Sequence, residues 1–272
     1  MTATLTVERY LDALRQGVDR LIEHAVAAGP GADVPTCPGW TVRDLVAHLG
    51  MVQRWATAHV TATLDGFDDA LVEDEGARSD DALGWLREGA DALVAALEAA
   101  PDDLQAEFFL TDAPPPRVAW ARRQAHEATV HAVDVLSASL GRVPHAAETP
   151  IPADLATDGI DELLAGFLPR PRTRLRLDQP LVLEVSTTDT DSAWTVHLGP
   201  DVPRTTHQKA GDGPDTRLTG EAVAVYLGLW NRGEELRTDG VDVLEEWRAE
   251  MRVSWGRPRV AETAGLPPSP PT

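Results

Sequence analysis

Apolar residues recur every three or four positions in four long stretches of the first 140 residues, which is the spacing of amphipathic helices. In the second stretch, Thr41 and Asp44 have the spacing of a helix capping box. The predicted helices cover residues 5–28, 41–64, 79–100 and 117–140. Each carries one apolar stripe, so the pattern predicts an N-terminal up-down four-helix bundle with a long connection between the second and third helices.

The pattern changes after a turn-rich segment that runs from Gly141 to Pro152. Short stretches of alternating apolar and polar residues predict strands, and these are interleaved with further helices. The predicted strands cover residues 181–186, 193–198 and 215–219, and the predicted helices cover 153–168, 221–230 and 242–251. We therefore expect an α+β fold. The bundle should cover residues 1–148, a small α/β domain with an antiparallel sheet 149–260, and a disordered tail 261–272.

Composition excludes several classes of function. The net charge of −20 argues against binding to nucleic acid through phosphate contacts. The acidic run from Asp65 to Asp81 is expected to be a solvated loop that leads into a helix. No stretch approaches twenty uninterrupted apolar residues, and no signal peptide is recognisable, so we expect a cytoplasmic protein, away from membranes, that is a monomer or weak dimer. Cys37 is the single cysteine. It is either a nucleophile near a helix start or a small buried residue.

The fourth predicted helix carries the chemistry. Glu127 and His131 are four residues apart and therefore lie on one face, which Asp134 shares. Buried polar groups must be hydrogen-bonded or bind a cation. With His48 from the second helix, Glu127 and His131 are interpreted as the ligands of one divalent metal with an open position. Two imidazoles and a carboxylate suit Zn²⁺, and also iron, nickel or manganese. Asp134 would orient a ligand histidine.

Other interpretations remain open at this point. Glu127 and His131 could be an ordinary ion pair on a helix surface. His48 could be a buried histidine with a backbone partner, which would leave a purely structural bundle. Asp134 could pair with an arginine. His126 points about 100° away from Glu127, so it either lines a pocket or, as we expect, is exposed.

Three segments resemble one protein family. Residues 36–49, TCPGWTVRDLVAHL, closely resemble the opening motif of the mycothiol-dependent maleylpyruvate isomerase family. Residues 127–134, EATVHAVD, resemble its second motif, and residues 218–232 resemble part of its C-terminal domain. The resemblance spans residues 5–255. It implies a DinB-like metal-binding four-helix bundle followed by a sterol-carrier-like domain.

The resemblance also implies a reaction. In the family, a metal that is usually zinc is held by residues that match His48, Glu127 and His131, and the sulfur of mycothiol replaces a bound water. The thiolate adds to a conjugated cis double bond and leaves again to give the trans isomer. Related bundles transfer thiols to small electrophiles. The family name covers many members of unknown reaction, so the alternative function is a metal-containing small-molecule-binding or regulatory module without turnover.

An anionic substrate of this kind calls for an arginine. The resemblance points to Arg123, beside the predicted ligands, or to Arg232 in the second domain as the substrate clamp. Either one could instead be structural. Trp40 and Trp230 are expected to line the cofactor pocket.

Overall fold

Helices make up the N-terminal half of the fold, and a sheet with further helices makes up the rest. The computed structural model describes residues 5–110, 113–211 and 213–251. The α+β fold class predicted from the sequence is confirmed. The N-terminal helices are α1 (Val7–Ala28), α2 (Val42–Val60), α3 (Asp69–Arg78), α4 (Ala82–Ala99) and α5 (Pro116–Leu140).

Helix starts follow the capping signals in the sequence. Thr6 caps α1 through the backbone N–H of Arg9. Thr41 and Asp44 form the predicted capping box at the start of α2, and Gly141 ends α5 in the left-handed conformation. The helices pack α1 against α5 and α2 against α4, with leucines and Trp120 buried between them.

Helix α3 corrects the prediction of a solvated acidic loop. Asp68 accepts a hydrogen bond from the backbone N–H of Leu71, so one of the acidic residues caps a helix. Trp85 of α4 fits against two glycines, since a Cβ at Gly50 or Gly76 would lie 2.1 or 2.5 Å from its ring. Helix α3 packs against the Trp85 indole of α4 through Gly76, and it buries little apolar surface of its own. The hydrophobic pattern therefore did not predict it.

The second half of the chain forms one mixed sheet in the order β3-β2-β1-β4-β5. The strands are β1 (Leu181–Thr187), β2 (Ala193–Leu198), β3 (Arg204–Thr206), β4 (Thr216–Gly220) and β5 (Arg237–Gly240). The helices are α6 (Ala153–Asp161), which continues as a π-helical turn over Glu162–Phe167, α7 (Ala222–Leu229) and α8 (Leu244–Glu250).

The sheet is antiparallel, as predicted, at every strand pair except that of β1 and β4. The hairpin partner β2 occupies one side of β1, and β4 therefore joins the other side, where it runs parallel to β1. Strands β3 and β5 were not predicted. They are three and four residues long and largely exposed, so they lack an alternating apolar pattern.

Helix α6 joins the two halves of the molecule through a buried polar network. Asp158 accepts hydrogen bonds from the Tyr10 hydroxyl at 2.9 Å and from Arg122 Nε at 2.9 Å. His126 contacts Asp158 through Nε2 at 2.8 Å and the Tyr226 hydroxyl through Nδ1 at 3.2 Å. One apolar core also runs from α1 to the sheet. His126 is completely buried, so the expectation that it is exposed is wrong.

This network should make stability depend on Asp158. Burial opposes its ionisation, yet His126 and Arg122 lower its pKa below the ordinary 3.8. The carboxylate therefore stabilises the fold above about pH 3.8, and that contribution is lost as the pH falls. We expect Asp158→Asn to lower the free energy of unfolding at pH 7 by about 3 kcal/mol, since it removes the charge that pairs with Arg122 in the interior and leaves Arg122 with Asp161 alone. Urea unfolding should show a smaller difference from wild type near pH 3, and an equal difference at both pH values would contradict the prediction.

None of the helices in the described ranges combines the length and hydropathy needed to cross a membrane. The predicted division at residues 148 and 149 stays a prediction, because α6 packs on α1 and α5 through Asp158 as well as on α7. The predicted disordered tail, residues 261–272, lies outside the described residues.

Candidate active site

The three predicted metal ligands lie together in the interior. His131 Nε2 is 3.2 Å from Glu127 Oε2, and the His48 ring stands edge-on to the His131 ring with centroids 5.6 Å apart. Their exposed fractions are 2% for His48, 6% for Glu127 and 8% for His131. The interpretation of Glu127 and His131 as a surface ion pair is therefore wrong. The structure brings one carboxylate and two imidazoles from α2 and α5 into one buried cluster, which we call the ligand cluster.

The periodicity of α5 explains this placement. Trp120, Gln124, Glu127, His131 and Asp134 follow one another at intervals of three or four residues, so they share the inner face of the helix. A heptad of this kind normally carries apolar side chains. Polar groups replace them here over three turns and point into the core, where each needs a partner.

Asp134 fixes the orientation of His131. Its Oδ2 lies 2.9 Å from His131 Nδ1, and its Oδ1 accepts hydrogen bonds from Thr36 Oγ1 at 2.6 Å and Arg232 Nε at 3.0 Å. Asp134 is completely buried, yet Arg232 and His131 lower its pKa despite that burial. The contact at Nδ1 turns Nε2 of His131 toward Glu127, as in the carboxylate–histidine pairs that support metal sites.

The charges around the ligand cluster favour an ionised Glu127 and a protonated His131. Burial opposes ionisation of Glu127, but Arg123 and His131 lower its pKa to about 2. Burial also disfavours a charged His131, while Asp134 and Glu127 outweigh it and raise the pKa of this imidazole. Arg123 Nε lies 3.3 Å from Glu127 Oε1, and its Nη1 bonds to Glu162. Arg123 is therefore balanced by two carboxylates.

One acidic neighbour of the ligand cluster was not predicted. Glu73 Oε1 of α3 lies 3.9 Å from His48 Nδ1, and its side chain is largely buried. The sequence did contain a signal. If Asp68 is taken as a helix cap, the helical period places Glu73 and Gly76 near one another on the face of α3 that meets α2.

The two tryptophans predicted to line the cofactor pocket have different neighbours. The Trp40 ring is edge-on to the His48 ring, with centroids 5.2 Å apart. Trp230 lies near other residues of the site. Its ring lies 5.2 Å from the Arg123 guanidinium and 5.5 Å from the Phe167 ring.

Cys37 is held as a thiol. Burial, reinforced by the negative charge of Asp134, raises its pKa to about 12, although Arg232 Nη2 donates a hydrogen bond to Sγ at 3.3 Å. A thiolate at this position is therefore disfavoured at neutral pH. Cys37 is partly buried and packs against the apolar core, which favours the interpretation as a small packed residue over that as an activated nucleophile.

The side chains of the ligand cluster do not have the geometry of a preformed metal site. Within the described ranges, no three His, Cys, Asp or Glu side chains are arranged so that they could hold a metal ion as they stand. The separation of 3.2 Å between His131 Nε2 and Glu127 Oε2 nevertheless matches the spacing of about 3.3 Å between two ligands on a tetrahedral zinc ion with bonds of about 2.0–2.1 Å.

A cavity of about 660 Å³ lies between the start of α5, the π-helical turn and strands β2 and β3. Its polar lining includes Arg122, Asp161, Glu162 and His207. Glu162 is also the partner of Arg123, so it connects the wall of the cavity to Glu127. Its Oε1 has no hydrogen-bond partner among the described residues. The volume is within the range of small-molecule sites.

Comparisons with known proteins agree with one another. Residues 11–136 match the sequence model described as "Mycothiol maleylpyruvate isomerase N-terminal domain", and residues 154–250 match the "MDMPI C-terminal domain". A search of curated proteins gives no match. Two solved structures share the fold with a TM-score of 0.61, a mycothiol-dependent maleylpyruvate isomerase and a histidine-to-alanine mutant of it. They are 14% and 13% identical, and each alignment covers 88% of this chain and 95% of the other.

Proposed function

Because the chain belongs to the mycothiol maleylpyruvate isomerase family, we propose that it is an enzyme that uses mycothiol and a divalent metal. The reaction would be cis–trans isomerisation of a maleylpyruvate-like substrate or transfer of the thiol to a small electrophile. The observation that carries the proposal is the buried contact of His131 with Glu127 on one side and Asp134 on the other, next to His48.

The donor set suits a divalent ion, with zinc favoured over iron, nickel and manganese. His48, Glu127 and His131 would hold it, because two imidazoles and a carboxylate are a common set for a metal that keeps an open position. When bound, such a metal lowers the pKa of a thiol that coordinates it, so that a thiolate nucleophile exists at neutral pH.

The residues around the ligands prepare them for this role. With a metal bound, Asp134 would hold the proton of His131 on Nδ1, which would leave the lone pair on Nε2 as a donor to the metal. Arg123 keeps Glu127 ionised, and Arg232 does the same for Asp134. The Trp40 ring packs edge-on against the His48 ring.

The two arginines predicted as substrate clamps also have these structural contacts. A direct contact of Arg123 or Arg232 with substrate stays a prediction. Trp230, which packs against Arg123, remains a proposed wall of the cofactor pocket.

Turnover assays with a thiol panel test the proposed function. Zinc-loaded protein is mixed with maleylpyruvate, or with a conjugated enone as a general electrophile, in the presence of mycothiol, glutathione or no thiol. We expect conversion that needs mycothiol and stops when a chelator removes the metal. If the protein retains metal but converts neither substrate with any thiol, the alternative gains support, namely a metal-containing binding or regulatory module. The cavity lined by Glu162 would then be its ligand site.

A further inference from the structure

A second arginine lies over the same phenyl ring as Arg123, and the described residues include no carboxylate partner for it. Arg170 follows the π-helical turn, and its guanidinium carbon lies 4.6 Å from the centre of the Phe167 ring and 6.0 Å from that of Phe109. Its Nε is buried and has no hydrogen-bond partner among the described residues. Within those residues, no carboxylate oxygen lies within 4.0 Å of its guanidinium nitrogens.

An arginine in this state is costly. The Arg170 side chain is partly exposed, but its Nε is buried, and a buried donor without a partner destabilises a protein. Burial and the neighbouring positive charges of Arg123 and Arg172 lower the pKa of Arg170, although a guanidinium still keeps its proton at neutral pH. An anion that contacts this guanidinium would remove both the unpaired donor and the repulsion.

Arg170 is linked to the ligand cluster through the Phe167 ring and Arg123. The Arg123 guanidinium carbon lies 5.0 Å from the centre of the same Phe167 ring, and Arg123 Nε lies 3.3 Å from Glu127. One phenyl ring therefore carries two guanidinium groups. Arg123 is neutralised by Glu127 and Glu162, and Arg170 is left with its charge.

The local sequence increases the positive charge. Arg170, Arg172, Arg174 and Arg176 are four arginines within seven residues of a chain whose net charge is −20. Arg174 pairs with Glu250 at 3.1 Å, and Arg176 donates to a backbone carbonyl at 2.7 Å. Arg172 is exposed. Among these four, Arg170 is the one that stacks on aromatic rings beside the ligand cluster.

We propose that Arg170 binds a carboxylate of a small organic anion, a dicarboxylate or an unsaturated keto acid, whose reactive end lies toward the ligand cluster. The identification of this anion as the substrate rests on the proposed function. The planar fork of a guanidinium matches a carboxylate, and its stacking on Phe167 fixes the plane of the fork. Arg123 and Arg232 would each have to share a buried carboxylate partner to do the same, whereas Arg170 has no carboxylate partner among the residues that the structure describes.

Equilibrium binding of maleate, a small cis-dicarboxylate, tests the proposal without any need for turnover. Calorimetry on zinc-loaded protein would compare wild type with Arg170→Met, Arg170→Lys and the matched control Arg172→Met. One charge-assisted contact corresponds to a change in affinity of about 10- to 100-fold. We expect Arg170→Met to weaken maleate binding by that factor. Arg170→Lys should recover only part of it, and Arg172→Met should stay within about twofold of wild type.

The outcomes separate this proposal from the proposed function. A folded Arg170→Met protein, with the melting temperature of wild type, that binds maleate as wild type does would overturn the proposal. So would equal binding of maleate and its neutral diamide. Thiol-dependent turnover with an unchanged KM in Arg170→Met would reject the role of Arg170 and leave the proposed function standing. Maleate binding that depends on Arg170, without turnover in wild type, would support this inference and reject the enzyme.

Discussion

His131→Ala is expected to abolish metal uptake and to remove thiol-dependent turnover, while the helices remain folded. The variant deletes one of three proposed ligands, and the loss of even a supporting contact at such sites costs about 10- to 100-fold in metal affinity. We therefore expect metal affinity to fall by more than 100-fold. The fold should persist because each neighbouring carboxylate keeps a cationic partner, Glu127 with Arg123 and Asp134 with Arg232.

The measurement is the zinc content per chain by elemental analysis after dialysis, together with thermal unfolding of the same samples. His145→Ala is the matched control, because His145 is exposed and lies outside the ligand cluster. It should retain the metal content and the activity of wild type. Zinc in His131→Ala at the wild-type level would show that the ligand assignment is mistaken, and all zinc-dependent steps would have to be reassigned.

The part of the site on α5 could be predicted from the sequence because it follows from the helical period. Glu127, His131 and Asp134 share a face in any regular helix, and the Thr41 capping box fixes the start of the helix that carries His48. Packing of α2 against α5 then brings His48 next to Glu127 and His131. The resemblance to a family pointed to the same three residues through their motifs.

Other parts of the site depend on contacts that no periodicity records. Glu73 reaches His48 because Trp85 of α4 packs against Gly76 and holds α3 in place, and the apolar pattern of α3 is too weak to show this. Arg170 belongs to a run of arginines that looks like a solvated turn in the sequence. Only the stacking on Phe167 distinguishes it from Arg172. The parallel pairing of β4 with β1 likewise depends on contacts between strands that are far apart in the sequence.

Asp134→Asn should have the second large effect, on both stability and metal binding. The amide cannot neutralise Arg232, whose side chain is 19% exposed, and it replaces one acceptor oxygen with a donor. Removing one partner of a buried ion pair costs about 3–5 kcal/mol, and we expect a loss of this size at pH 7. His131 would also lose the contact that orients its ring, so metal affinity should fall by about 10- to 100-fold.

The pH dependence and a double variant show whether the charge is the cause. The folded-state pKa of Asp134 is below the ordinary 3.8, because Arg232 and His131 outweigh its burial. Its stabilising contribution is therefore complete at neutral pH and declines as the pH falls below about 3.8, so urea unfolding should show the two proteins converging in acid. Adding Arg232→Met to Asp134→Asn should restore part of the lost stability, because the unpaired cation is gone. If the double variant is as unstable as the sum of its single variants, the ion pair does not explain the effect, and the packing of Thr36 against Asp134 becomes the better cause.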